Sequence, residues 1–211
     1  MKLLKEKNRN KMKKKFTSID LFCGGGGLSQ GLVDAGFSVN AAIELDMNAV
    51  DTYELNHPKT VIISNDIKFV SATTIKKSLK GSSLDLLAAC PPCQGFSSLT
   101  RPQITEDPRN SLIMEVARLV RDLLPKVVMI ENVPGIEKRG HSYLSSFLAE
   151  LSSLGYIYNY GVLQIADYGV PQFRKRFVLL AGRGFEIKIP KKTHSENGKE
   201  VGTSEWPLVS G

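Results

Sequence analysis

The sequence predicts a single α/β domain built on a mostly parallel sheet of about seven strands flanked by helices. The main observation is that short apolar runs of strand length alternate with segments of helical periodicity. A second observation is the length of 211 residues, with 42% hydrophobic and 23% charged residues, which suits one domain with a substantial core. We expect the folded domain to cover 16–184, between a disordered basic tail at 1–15 and a polar linker at 185–211.

The predicted strands are apolar runs that end at a glycine, a proline or a polar residue. They cover residues 18–22, 39–43, 61–63, 84–89, 126–130, 158–163 and 177–181. The predicted helices carry apolar residues three or four positions apart. They cover residues 28–35, 49–56, 72–79, 111–124 and 142–154. One helix lies between each pair of consecutive strands among the first six, which is the pattern of a parallel sheet with crossover helices.

Composition excludes several classes of protein. No run of 18 apolar residues exists, and the lysine-rich N-terminus is not followed by a hydrophobic segment, so we expect neither a membrane span nor a secretory signal. Three cysteines in a chain of this length fit a reducing compartment better than a disulfide framework. We therefore expect a cytoplasmic protein.

The net charge of +7 resides entirely in the N-terminal tail. Residues 1–15 contain eight cations and one anion, so the remainder of the chain is formally neutral. A solvated leader and an auxiliary arm that binds phosphate groups both explain such a tail.

Four consecutive glycines, Gly24 to Gly27, follow the first predicted strand and precede a helix. Glu44 follows this loop by about 20 residues at the end of the second strand, which is the spacing of a carboxylate that binds ribose hydroxyls. Asp66 follows the third strand in the same way. The pattern predicts a nucleoside-type cofactor. The loop lacks the Gly-Lys-Ser/Thr sequence of a Walker-type phosphate site.

Cys93 follows the fourth strand after two prolines, Pro91 and Pro92, which make a stiff loop at the ligand-binding edge of the sheet. We interpret Cys93 as a nucleophile, with the polar, proline-containing segment 99–110 as a lid. Cys90 and Cys93 could instead form a redox pair, but a Cys-x-x-Cys motif of that kind normally opens a helix in a thioredoxin-like chain. We expect no zinc site, because four ligands at suitable spacing are lacking.

Glu131 ends an otherwise apolar strand, where a carboxyl group can be partly desolvated and can donate a proton. A helix cap or an ion pair is the alternative. Arg174 and Arg176 are two residues apart in a segment interpreted as a strand, so we expect both on one face. They would bind a shared anionic group or favour the thiolate of Cys93, unless they only form an exposed basic edge.

In this order the motifs resemble those of the cytosine-C5 DNA methyltransferase family, from residue 17 to about residue 183. The matching segments are Asp20-Leu-Phe-Cys-Gly-Gly-Gly-Gly-Leu-Ser, Glu44-Leu-Asp, Asn65-Asp-Ile, Pro92-Cys-Gln-Gly-Phe-Ser, Arg109-Asn-Ser-Leu, Glu131-Asn-Val and Gln172-Phe-Arg-Lys-Arg. The resemblance implies the Rossmann-like fold of methyltransferases that use S-adenosylmethionine. It also implies methyl transfer to carbon 5 of cytosine in double-stranded DNA, within a bacterial restriction-modification system.

The resemblance assigns residues position by position. Cys93 would add to C6 of a flipped cytosine, Glu131 would act as the acid at N3, Arg174 would hold the base and Arg176 would support that site. Cofactor contacts would come from Phe22, Cys23, Gly24, Gly25, Gly26, Gly27, Leu28, Glu44, Leu45, Asp66, Ile67, Pro92 and Leu112. Cys23 and Cys90 are expected to serve packing, and no metal is expected.

The C-terminal part departs from the family pattern, because no target-recognition region and no ninth or tenth motif follows the eighth. We therefore expect recognition to reside on a second chain or in a missing C-terminal region, without which the chain would be inactive. An inactive regulatory or scaffold homologue and an RNA cytosine-C5 methyltransferase are the alternatives.

Overall fold

The computed structural model describes residues 15–92 and 111–207 and centres on a seven-stranded sheet. The strands are β1 (Thr17–Leu21), β2 (Ser38–Glu44), β3 (Val61–Ser64), β4 (Leu86–Ala89), β5 (Val127–Asn132), β6 (Tyr156–Gln164) and β7 (Lys175–Arg183). Their order in the sheet is β3-β2-β1-β4-β5-β7-β6, and β7 runs opposite to the other six strands. The mostly parallel seven-stranded sheet predicted from the sequence is confirmed.

Helices cover both faces of the sheet. They are α1 (Gly27–Asp34), α2 (Met47–Asn56), α3 (Ala72–Ser78), α4 (Leu112–Leu123) and α5 (His141–Ser153). The larger core lies between the sheet and α3, α4 and α5, whereas smaller clusters pack α1 and α2 against the other face. Burial on both faces explains why the central strands are continuous apolar runs. In the described part of the chain, no helix is long and apolar enough to cross a membrane.

Two strands extend further than their polarity predicts. Glu44 is the last residue of β2, paired with Ser64, and Glu131 lies within β5, paired with Val178. We expected each carboxylate to close its strand, which holds for Glu44, whereas β5 continues by one residue to Asn132. Hydrogen bonds to the neighbouring strand determine where a strand ends, so a polar residue can occupy the last rung of the ladder.

Part of the segment expected to be a linker has secondary structure. A two-residue strand at His194–Ser195 (β8) pairs in parallel with a second at Ser204–Glu205 (β9). The indole Nε1 of Trp206 donates to Asp167 Oδ1 at 2.8 Å, and the backbone amide of Thr193 donates to the Asp167 carbonyl at 2.9 Å. These bonds attach the segment to the turn between β6 and β7.

Candidate active site

A cavity of about 520 Å³ opens at the carboxyl ends of β1, β2 and β3. This is the edge where open α/β sheets bind ligands, and the volume suits a small-molecule ligand. Seven predicted cofactor contacts line it: Phe22, Glu44, Leu45, Asp66, Ile67, Pro92 and Leu112. The other six predicted contacts, Cys23, Gly24, Gly25, Gly26, Gly27 and Leu28, are not among its lining residues.

Sequence reasoning missed four lining residues: Ile43, Asp46, Asn65 and Lys68. Asp46 and Asn65 belong to the motifs quoted above, but the sequence did not show that their side chains face the cavity. Lys68 lies in a 3-10 turn that Asp66 caps, because the Lys68 amide donates to Asp66 Oδ1 at 3.0 Å. An aspartate that can cap a short helical turn, two residues before Lys68, was the sequence feature that could have indicated this residue.

Backbone amides fix the Glu44 carboxylate at the wall of the cavity. Its Oε2 accepts from the Gly24 amide at 2.9 Å, and its Oε1 accepts from the Leu45 and Asp46 amides at 2.8 and 2.9 Å. A carboxylate offers about four lone-pair positions, so acceptor capacity remains for a ligand hydroxyl. Glu44 therefore joins the cavity to the glycine loop, which we define as residues 24–27.

The turn into the glycine loop uses unusual backbone conformations. Gly24 and Gly26 have φ values of 52° and 97°, and Phe22, which is not a glycine, has a φ of 61°. Left-handed backbone at a residue with a side chain costs free energy and is concentrated at functional sites. The Phe22 ring reaches the cavity wall from this conformation.

Glu131 and Arg176 form an ion pair, with Arg176 Nε 2.6 Å from Glu131 Oε1. The two residues lie on adjacent strands, β5 and β7, and both side chains are largely shielded from solvent. The pair fixes the orientation of the Glu131 carboxyl. Arg174 differs from the prediction, because it precedes β7 and its backbone amide donates to Gln164 Oε1 at 2.8 Å.

Asn132 connects β5 to the segment that leads into Cys93. Its side-chain amide donates to the carbonyl of Pro91 at 3.1 Å, and its Oδ1 accepts from the Val133 amide at 2.7 Å. Asn132 is buried, so both bonds are shielded from water. Cys93 itself and the predicted lid at 99–110 lie outside the described residues.

The two described cysteines have unreactive environments. Burial, and then the nearby Asp20 and Glu44 carboxylates, raise the pKa of Cys23. Burial, and then Glu131, raise the pKa of Cys90. Neutral thiols are poor nucleophiles, so both cysteines suit packing. Within 15–92 and 111–207, no group of three or more His, Cys, Asp or Glu residues could hold a metal ion.

Comparison with known proteins identifies the family. The family model of C-5 cytosine-specific DNA methylases matches residues 16–206. The chain belongs to this family. Membership confirms the family, the enzyme class and the S-adenosylmethionine cofactor predicted from the motifs.

Two curated relatives are named as a type II methyltransferase and a type II methylase. The chain is 36% identical over 193 residues to the type II methyltransferase M.AquIA of Picosynechococcus sp., covering 86% of this chain and 78% of that protein. It is 37% identical over 186 residues to the type II methylase M.HgiDII of Herpetosiphon aurantiacus, covering 87% of this chain and 52% of that protein.

A solved structure supports the fold. A prophage-encoded protein of E. coli, described as a DNA modification methyltransferase, superposes with a TM-score of 0.73 and 33% identity. The match covers 82% of this chain and 49% of that one. The chain thus spans about half the length of several proteins that it matches.

Proposed function

We propose that the chain is the catalytic and cofactor-binding part of a DNA (cytosine-5-)-methyltransferase in a restriction-modification system. One observation carries the proposal: the cavity and the Glu131–Arg176 pair meet at the segment that leads into Cys93. Pro92 lines the cavity, and Asn132, the neighbour of Glu131, holds the carbonyl of Pro91. A cofactor, a proton donor and a nucleophile can therefore serve one substrate.

The cavity residues fit S-adenosylmethionine, which supplies an electrophilic methyl group when bound. Glu44 presents remaining acceptor capacity to ribose hydroxyls, and the apolar side chains of Phe22, Ile67 and Leu112 suit the faces of a purine ring. The glycine loop, tied to Glu44 through Gly24, would lie beside the methionine part of the cofactor.

Cys93 would activate the cytosine. C5 of cytosine is a weak nucleophile, so a thiolate that adds to C6 makes the ring electron-rich at C5. Glu131 would donate a proton to N3 as negative charge develops there. After C5 is methylated, loss of the proton on C5 restores the double bond and expels the thiolate from C6.

The arginines would support the flipped base. Arg176 holds the Glu131 carboxyl in position through the bond at 2.6 Å. Arg174, at the entrance to β7, would contact the base itself. A cytosine inside a stacked duplex cannot reach these groups, so the base would rotate out of the helix into the site.

Target recognition would lie outside these 211 residues, in a further region or on a second chain. The length of the relatives supports this part of the proposal, since the chain covers only 52% of M.HgiDII. The formally neutral charge of residues 16–211 also supports it, because proteins that bind DNA tightly neutralise several phosphates. The assembled enzyme would act on DNA in the cytoplasm.

The experiment compares two cysteines that are three positions apart. The Cys93→Ser variant should lose methyl transfer in the assembled enzyme but retain binding of S-adenosylhomocysteine measured by calorimetry. The Cys90→Ala variant is the matched control and should retain both, because Cys90 serves packing. Retained methyl transfer by Cys93→Ser would contradict the assigned role, and loss of cofactor binding as its main effect would also contradict it.

A further inference from the structure

A buried polar cluster lies next to the glycine loop and contacts Gly26. It consists of Asp20 on β1, Ser29 on α1, Tyr53 on α2 and His57, the residue that follows α2. All four are buried, and none of them lines the cavity. The motifs gave a catalytic or binding role to none of them.

Hydrogen bonds join three residues of this cluster. Ser29 Oγ donates to Asp20 Oδ2 at 2.7 Å. Tyr53 Oη and Ser29 Oγ lie 2.7 Å apart and share a hydrogen bond. These bonds fasten α2 to α1 and β1.

His57 extends the cluster to the glycine loop. Its Nε2 lies 3.0 Å from the carbonyl oxygen of Gly26, which can only accept, so Nε2 carries a proton and donates. The ring of His57 packs against the ring of Tyr53, with centroids 4.7 Å apart. The Tyr53 ring thereby supports the imidazole that holds the loop.

The imidazole occupies the space that a side chain at position 26 would need. A Cβ placed on Gly26 would lie 2.4 Å from His57 Nε2 and 3.2 Å from Tyr53 Cδ2. The last residue of α2 also contacts the loop, because Asn56 Nδ2 donates to the Gly25 carbonyl at 3.4 Å. The backbone of the loop thus rests directly on the end of α2.

We infer that His57 is a positioning residue for the cofactor site, an inference that rests on the proposed binding of S-adenosylmethionine. Three side chains bind the glycine loop: Glu44 accepts from the Gly24 amide, His57 donates to the Gly26 carbonyl and Asn56 donates to the Gly25 carbonyl. A loop fixed at both ends is ordered before the ligand arrives, and this lowers the entropy lost on binding. His57 touches neither cofactor nor substrate in this role.

The test uses two amides that imitate different nitrogens of the histidine ring. In the full chain, His57→Gln places its amide nitrogen where Nε2 lies and should bind S-adenosylhomocysteine within about threefold of wild type. His57→Asn imitates Nδ1, does not reach Gly26, and should bind at least about tenfold more weakly. Calorimetry measures affinity, and circular dichroism checks that both variants are folded.

A second pair of variants tests the same contact from the loop. Gly26→Ala forces a methyl group against the imidazole at a position where φ is 97°, and should weaken binding of S-adenosylhomocysteine. Gly36→Ala is the control, because Gly36 has a similar φ of 90° but a Cβ there meets no atom within 4 Å. If His57→Asn does not fold, this pair of variants tests the contact between His57 and Gly26.

The outcomes separate this inference from the proposed function. Wild-type protein that fails to bind S-adenosylhomocysteine would overturn the proposed function. Wild-type protein that binds, together with His57→Asn that binds equally well, would overturn the positioning role. Equal losses of affinity in His57→Gln and His57→Asn would also overturn it, because rescue by the glutamine amide is the expected signature.

Discussion

Asp20 lies near the carboxyl end of β1, fully buried beneath the glycine loop. Its Oδ2 accepts a hydrogen bond from Ser29, whereas Oδ1 has no hydrogen-bond partner among the residues that the structure describes. Burial, with a smaller contribution from the Glu44 carboxylate, raises the pKa of Asp20 from 3.8 to about 7. The folded protein therefore binds a proton at Asp20 in a range of pH where the unfolded chain does not.

Asp20 should make the protein less stable as the pH rises from about 4 to about 7. The folded state binds more protons than the unfolded state in this range, so the free energy of unfolding falls, by roughly a few kcal/mol at most. Asp20→Asn removes this titration and retains an oxygen that accepts from Ser29. Urea unfolding at several pH values should show that the free energy of unfolding falls less steeply with rising pH in the variant than in the wild type. An identical decline in both proteins would show that Asp20 does not titrate as described.

At the residue scale, the sequence indicated candidate site residues more readily than the residues that hold them in place. Glu44 and Glu131 were singled out because carboxylates at the ends of apolar runs are conspicuous. Ser29, Tyr53 and His57 were not assigned any functional role, because a buried hydroxyl or imidazole in a helical pattern looks the same as an ordinary packing residue. Their contacts depend on how α1 and α2 pack, which periodicity alone does not determine.

At the element scale, the end of β5 organises the catalytic side of the site. Two consecutive residues of this strand contact different partners: Glu131 pairs with Arg176 on β7, and Asn132 holds Pro91 beyond β4. The sequence predicted β5 but ended it at residue 130. Its extension depends on antiparallel pairing with β7, and the hydrophobic pattern contains no information about that partner.

The Asn132 bond should position Cys93 without contributing to cofactor binding. Asn132→Asp keeps the shape of the side chain but replaces the donor to Pro91 with an oxygen that repels the carbonyl. Methyl transfer by the assembled enzyme should fall at least about tenfold, while affinity for S-adenosylhomocysteine changes little.

Asn197→Asp is the matched control for this change. Asn197 is exposed, and its Oδ1 accepts from the Lys199 amide, which an aspartate can also do. Its activity should equal that of the wild type. A methyl-transfer rate for Asn132→Asp that matches this control would show that the bond to Pro91 does not position the nucleophile.

At the scale of the whole molecule, the order of the strands brings distant segments together. The central strands β1 and β4 are neighbours although more than 60 residues separate them, so the glycine loop and Pro91–Pro92 follow neighbouring strands at one edge of the sheet. Alternation of strands and helices predicted a mostly parallel sheet of seven strands. The antiparallel placement of β7 between β5 and β6 was not predicted, because short apolar runs do not reveal strand direction.

The mapping of 5-methylcytosine in cellular DNA tests the central claim most directly. The chain would be produced in a host without cytosine-C5 methylation, together with the region or chain that carries target recognition, and the DNA would be sequenced after bisulfite treatment. We predict 5-methylcytosine at one recurring sequence with the wild-type chain and none with Cys93→Ser. No 5-methylcytosine with the wild-type chain, or equal methylation by Cys93→Ser, would contradict the proposal that this chain methylates cytosine through a Cys93 adduct.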